Sequence, residues 1–102
     1  MKTGIESIAI ERQRQIDAEG WTPSHDDEHV HGALSAAGAS YAMNASENID
    51  RAIVGVVDTI EKPNDWPFLP KFWKPTPKDL VRQLAKAGAL IAAEIDRINR
   101  DI

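Results

Sequence analysis

No cysteine occurs among the 102 residues, so neither a disulfide framework nor a thiolate metal site is open to this chain. Long apolar runs are missing too. Met1-Lys2-Thr3-Gly4-Ile5-Glu6 breaks into charge at once, and neither a signal peptide nor a membrane-spanning segment is expected. Basic residues are the minority, 12 against 16 acidic, for a net charge of −4. Such a balance disfavours nonspecific binding to nucleic acid or to an anionic membrane, although a local basic patch stays open. None of the patterns G-x-x-x-x-G-K-[ST], G-x-G-x-x-G or G-x-S-x-G is present, which argues against the familiar phosphate loops and the nucleophile elbow. A cytoplasmic protein is the expectation that fits these absences.

What remains is ordinary globular composition, 42% hydrophobic and 27% charged, at a length that suits one domain spanning 1–102. The pattern predicts an all-α fold, a small bundle of about four helices. Thr3 and Glu6 have the spacing of a capping box, and Gly20 is placed to end a first helix over about 4–19. Ile5, Ile8, Ala9 and Ile16 form its apolar stripe. Pro23 interrupts the chain, and a second helix is expected to start within His25-Asp26-Asp27-Glu28. Val30, Leu34, Ala37 and Tyr41 give that helix its stripe, amid the small residues of 32–42. A third helix is predicted over about 47–61, against the β-branched, glycine-containing run at 53–57 that suits a strand. Residues 62–77 carry five of the six prolines with Trp66, Phe68, Phe72 and Trp73, a loop expected to pack across the helices. Thr76-Pro77 reads as the start of a last helix over about 77–100, its stripe being Leu80, Leu84, Ala87, Ile91, Ile95 and Ile98.

The densest polar cluster, from His25 to His31, holds all three histidines. On a helix His25 and His29 share a face, and with Asp26 and Asp27 they form a candidate divalent-metal set. The spacing is not H-E-x-x-H, and an acidic helix start with packed or capping histidines accounts for the same residues. Arg12 lies on the apolar stripe of the first helix. It therefore needs an anionic partner, either Asp26 or Asp27 or a bound phosphate or carboxylate. Trp21, Trp66 and Trp73 with Lys71 and Lys74 could stack on a base beside a phosphate, or simply cover the core.

Glu11-Arg12-Gln13-Arg14-Gln15-Ile16, Glu19-Gly20-Trp21-Thr22-Pro23, His25-Asp26-Asp27 and Phe72-Trp73-Lys74-Pro75, with the last helix from Asp79 to Arg97, resemble an abundant family of small phage and prophage proteins. The resemblance covers about 5–43 and 66–98, leaves 44–65 without a counterpart, and implies a phage origin and a host-cytoplasmic setting but no activity. Against that background the leading expectation is an accessory protein that binds a small anionic ligand, a nucleotide first, with a possible counter-defence role. Arg12, Trp21, His25, Trp73 and Lys74 are its candidate contacts. A metal-dependent nucleotide pyrophosphohydrolase is the enzyme alternative, with Glu11, Asp27 and His29 as catalytic candidates and His25, Asp26, Asp27 and His29 as ligands. The helical MazG-type enzymes use E-x-x-E and E-x-x-D pairs, whereas this chain has only Glu47-Asn48-Ile49-Asp50. The third expectation is an interaction module, a homo-oligomer or a partner of a host protein, docking through the small-residue helix of 32–42.

Overall fold

Helix α1 spans Gly4–Glu19, and the reciprocal capping box is formed: Glu6 N–H donates to Thr3 Oγ1, and Thr3 N–H donates to the Glu6 carboxylate, both at 3.2 Å. Gly20 closes the helix in the left-handed conformation (φ 72°), which a side chain would strain. The computed structural model describes residues 1–100. A short helix α2, Pro23–Asp27, follows, with Thr22 as its cap. His31 and Gly32, both at positive φ, then turn the chain into helix α3, Ala33–Ile53. The last helix, α4, is Leu80–Arg100, and no strand occurs among the described residues. The all-α class with four helices therefore stands as read from the sequence.

Helix α4 is the centre of the molecule and packs against each of the other three helices. Ser35 beside Glu94 and Asn44 beside Gln83 show that α3 runs antiparallel to it. The close approach rests on glycine. A Cβ on Gly38 would come within 2.9 Å of the Ala87 carbonyl oxygen, and one on Gly88 within 2.6 Å of Ile8. Gly38→Ala is therefore expected to destabilise the protein by about 1–3 kcal/mol through overpacking, outweighing the ~1 kcal/mol that alanine gains in a helix. A lowered urea midpoint is the readout, and a raised one would mean that the two helices can move apart freely.

The core consists of Leu34, Ala37, Tyr41, Trp66, Ala87, Leu90 and Ala93, with Trp21, Phe68 and Trp73 packed against it. The proline-rich loop lies across the helices as its aromatics require. Trp66 Nε1 donates to the Leu69 carbonyl within the loop, and Trp73 Nε1 donates to that of Ile60.

Four expectations need correction. The predicted helix over 47–61 is the end of α3, which stops at Ile53; 54–61 is irregular, with Gly55 at φ 74°. Asn48 holds that segment by giving and taking hydrogen bonds with the Thr59 backbone at 2.9 and 2.8 Å. The second helix does not run on from His25, because the turn at His31-Gly32 divides it into α2 and α3. The start of α4 lies at Leu80, where Asp79 accepts from Arg82 N–H, while Thr76-Pro77 belongs to the preceding turn. Finally, Ala87 of the predicted α4 stripe is buried, but Leu84, Ile91, Ile95 and Ile98 are 42–53% exposed, and Ala87 shares the buried face with Gln83, Lys86, Leu90 and Glu94. Ile5 is likewise exposed, and the two buried residues of α1 are Glu11 and Gln15. No helix among the described residues is long and apolar enough to cross a membrane.

Candidate functional site

Between α1, α3, α4 and the aromatic loop lies a cavity of about 380 Å³. Its size falls in the range of small-molecule sites. Leu34 and Leu90 supply aliphatic wall, and a run of rings supplies most of the rest. Trp21 stacks parallel to His25 at 5.9 Å between centroids, and His25 meets His29 edge-on at 4.7 Å. His29 packs on Phe68 at 4.9 Å, Phe68 on Trp66 at 5.6 Å, and Trp66 on Tyr41 at 5.4 Å. Short local causes place these rings. Gly20 and Pro23 bend the chain so that Trp21 and His25 fall on one side, and the loop prolines fix Trp66 and Phe68.

Three cations reach this cavity: Arg14, Lys74 and Lys86. The Arg14 guanidinium is committed, with two hydrogen bonds to Glu11 at 2.9 and 2.6 Å and an ion pair to Glu19 at 3.5 Å. Hydrogen bonding to Glu11 outweighs burial and raises its pKa. Lys74 is an exposed rim residue, while Lys86 is 8% exposed. The Lys86 ammonium donates to the Lys74 carbonyl at 2.9 Å and sits 5.7 Å from the centre of the Tyr41 ring. Among the described residues no carboxylate lies within ion-pairing distance of it. Burial, and then the charges of Arg82 and Arg14, push its pKa below the ordinary lysine value, with Glu11 and Glu19 opposing. A buried ammonium with spare donors and no counter-ion is unusual, since buried charges are normally paired.

A second polar group stands incomplete within the cavity wall. Gln15 is 1% exposed, and its amide oxygen accepts no hydrogen bond. Among the described residues it is the one buried side-chain polar atom without a partner. Glu19 completes the polar lining with the two histidines.

His29 is held below its usual value near 6.5, chiefly by burial and then by the charge of His25, with Asp26, Glu28 and Glu94 pulling the other way. As pH falls through about 6.5, the unfolded chain protonates at this imidazole before the folded chain does. Its stabilising contribution is thus complete above that pH and is lost as the pH drops toward the folded value. The unfolding midpoint of wild type should therefore fall more steeply below pH 6.5 than that of His29→Phe, as thermal scans across pH would show.

The residues expected to bind ligand divide. Trp21, His25 and Lys74 line the cavity, and Arg12 and Trp73 do not. Arg12 is spent internally, as one of its two weighed readings proposed: its Nη2 pairs with Asp26 Oδ2 at 2.5 Å and its Nη1 donates to the Trp21 carbonyl. Trp73 stacks behind the cavity on Tyr41 at 4.8 Å. The four expected metal ligands are not brought together. His25 and His29 meet at 3.4 Å between Nε2 atoms, Asp26 is taken by Arg12, and Asp27 is bound outward to Arg100 at 2.7 Å. Among the described residues no group of three His, Asp or Glu side chains is arranged to hold a metal ion. The three catalytic candidates also sit in separate networks, Glu11 with Arg14 and Arg82, Asp27 with Arg100, and His29 with His25 and Phe68.

Lys86, Gln15, Tyr41 and Phe68 are cavity residues that the sequence reading does not single out as contacts, whereas Trp66, weighed there with the other tryptophans as a stacking surface, lines the cavity. Lys86 carried a usable signal, since it stands one turn before Leu90 between alanines of a buried face. No family model, curated protein or solved structure matches this chain.

Proposed function

We propose that this chain binds a small, planar, anionic ligand in the aromatic cavity, a nucleotide being the leading class, and does not turn it over. The observation that carries the reading is Lys86, an ammonium buried without a counter-ion at the wall of a ring-lined pocket. A phosphate there gains a charge-assisted hydrogen bond in surroundings that screen it poorly. The rings offer stacking area that every base can use. Binding without catalysis is the reading because the candidate base Glu11 is held between Arg14 and Arg82. The phage-protein resemblance gives this activity its setting, an accessory protein in the host cytoplasm that captures a nucleotide, with counter-defence as one such use. Calorimetry of the folded protein against linear and cyclic nucleotides tests it directly. Binding is expected in the micromolar range or tighter, and no heat up to high micromolar concentration would refute it.

A second reading, the interaction module, is supported by a different surface from the one first expected. The small-residue face around Gly38 is used up against α4, whereas Leu84, Ile91, Ile95 and Ile98 leave an apolar stripe on α4 open. Such a stripe suits a second copy of the chain. If it pairs, light scattering will give a dimer mass that Ile95→Glu reduces to a monomer. A wild-type monomer at high concentration removes this reading.

A further inference from the structure

We propose that His25 and His29 form a two-imidazole clamp for a divalent transition-metal ion, zinc first, in the wall of the aromatic cavity. This goes beyond the anion-binding reading and does not depend on it.

The spacing of the pair carries the inference. His25 and His29 stand four residues apart and bring their Nε2 atoms to 3.4 Å. That is long for a hydrogen bond. It matches the edge of a tetrahedral zinc site, which is about 3.3–3.4 Å for Zn–N bonds of about 2.0–2.1 Å. The ring centres lie 4.7 Å apart, farther than the nitrogens, so the two Nε2 atoms are on the facing edges of the rings.

The surroundings are those of a ligating pair. A metal-bound imidazole commonly gives its other N–H to a carboxylate, which fixes the tautomer and turns the bare nitrogen to the ion. His25 has this arrangement. Its Nδ1 lies 3.3 Å from the carboxylate of Asp26, which is fully buried and held by Arg12. An ionised carboxylate can only accept, so Nδ1 carries the proton and Nε2 keeps its lone pair. Trp21, parallel to His25, and Phe68, edge-on to His29, steady the two rings. Asp26, Glu28 and Glu94 act on His29 in the direction that favours positive charge, while the Lys86 ammonium is turned to the Lys74 carbonyl over Tyr41. Of the four ligands expected from the sequence, Asp26 thus serves at one remove, and Asp27 is engaged outside by Arg100. Two protein ligands leave the other positions of the ion to water or to an anion in the cavity. Imidazole suits zinc, nickel and copper, whereas magnesium and calcium take oxygen.

The test is zinc chloride alone, titrated into untagged protein in a non-chelating buffer. Calorimetry is expected to give one ion per chain at micromolar affinity. Nitrogen-15 spectra of the imidazoles should place ligation at Nε2 of His25 and of His29, with His25 Nδ1 keeping its proton and His31 unchanged. Magnesium should give no such change. His25→Gln and His29→Gln should each weaken binding at least about tenfold, since even the loss of a second-shell partner costs about 10–100-fold. His31→Asn, at a positive φ that asparagine tolerates, should bind as wild type does. Circular dichroism establishes that the variants are folded, and the wild-type spectra stand whatever the variants do. No saturation by millimolar zinc overturns the clamp. Ligation at Nδ1 or at His31, or an affinity that either glutamine substitution leaves unchanged, overturns it as well.

Discussion

Asp26→Ala is expected to cost about 3–5 kcal/mol, the range for removing one partner of a buried ion pair. In a domain of this size that is a fall of more than about 12 °C in the unfolding midpoint. The Asp26 carboxylate is fully buried, and it binds Arg12 through one oxygen while the other lies 3.3 Å from His25 Nδ1. Without it the Arg12 guanidinium, 13% exposed, keeps only the Trp21 carbonyl. The pair is also what fastens α2 to α1, so its loss loosens Trp21 and His25 and opens one wall of the cavity. The neighbouring carboxylate makes the contrast. Asp27 pairs with Arg100 at the surface, where solvent screens the charges, and Asp27→Ala should leave the midpoint almost unmoved. A double variant, Arg12→Met with Asp26→Leu, should recover much of the loss, since the penalty arises from the stranded charge more than from the pair's own strength. Equal effects of Asp26→Ala and Asp27→Ala would contradict the burial difference on which this rests.

The Arg12–Asp26 contact was legible because a lone arginine on an apolar stripe has few ways to be satisfied, and one of the two readings weighed for it was this one. The caps of α1 and the covering role of the aromatic loop were legible for a similar reason, since each is written in a short run of residues. Two things were not. The run at 53–57 keeps a helical period in its apolar residues, but its glycine and β-branched side chains oppose a helix, and the Asn48 clamp on Thr59 draws it away. The face of α4 was misread because hydrophobicity was taken as the mark of the core. The α3–α4 approach at Gly38 is close enough that even a Cβ there would press on the Ala87 carbonyl, so the buried face between these helices favours small side chains. The interior therefore took Ala87, Ala89 and Ala93, and the larger apolar residues were left outside. That rotation carries Gln83, Lys86 and Glu94 inward, which is why the cavity's cation escaped notice.

Each of the other buried polar groups of that face is answered within the chain. Gln83 donates to the Tyr41 carbonyl and to Asn44 and accepts from Thr76 N–H, so it ties α3, α4 and the turn before α4 together. Glu94 accepts from Ser35 and Arg97; burial alone would raise its pKa, but these two partners outweigh burial and hold it below the usual carboxylate value. Lys86 is different in having only a carbonyl and a ring for company. In a protein that satisfies its other buried charges, an exception at a cavity wall marks the place where an outside group completes the structure.

Lys86→Met separates that account from a purely structural role for the lysine. Methionine fills similar space along the same stem and brings no charge, so the cost of holding a cation away from water disappears. The hydrogen bond to Lys74 and the contact over Tyr41 are lost, but a neutral side chain in a ring-lined pocket more than offsets them. The unfolding midpoint of the ligand-free protein is therefore expected to rise, while affinity for a nucleoside monophosphate falls at least about a hundredfold, or ~2.7 kcal/mol. Opposite movement of stability and binding is the mark of a residue kept for its ligand. Lys74→Met gives the comparison at the rim, where the exposed ammonium should contribute less than about tenfold, and that contribution should fade as salt is raised. Calorimetry and thermal scans on the same two variants read both quantities. If Lys86→Met lowers stability and leaves affinity unchanged, the lysine serves only to fasten the 72–74 segment to α4, and the anion site lies elsewhere.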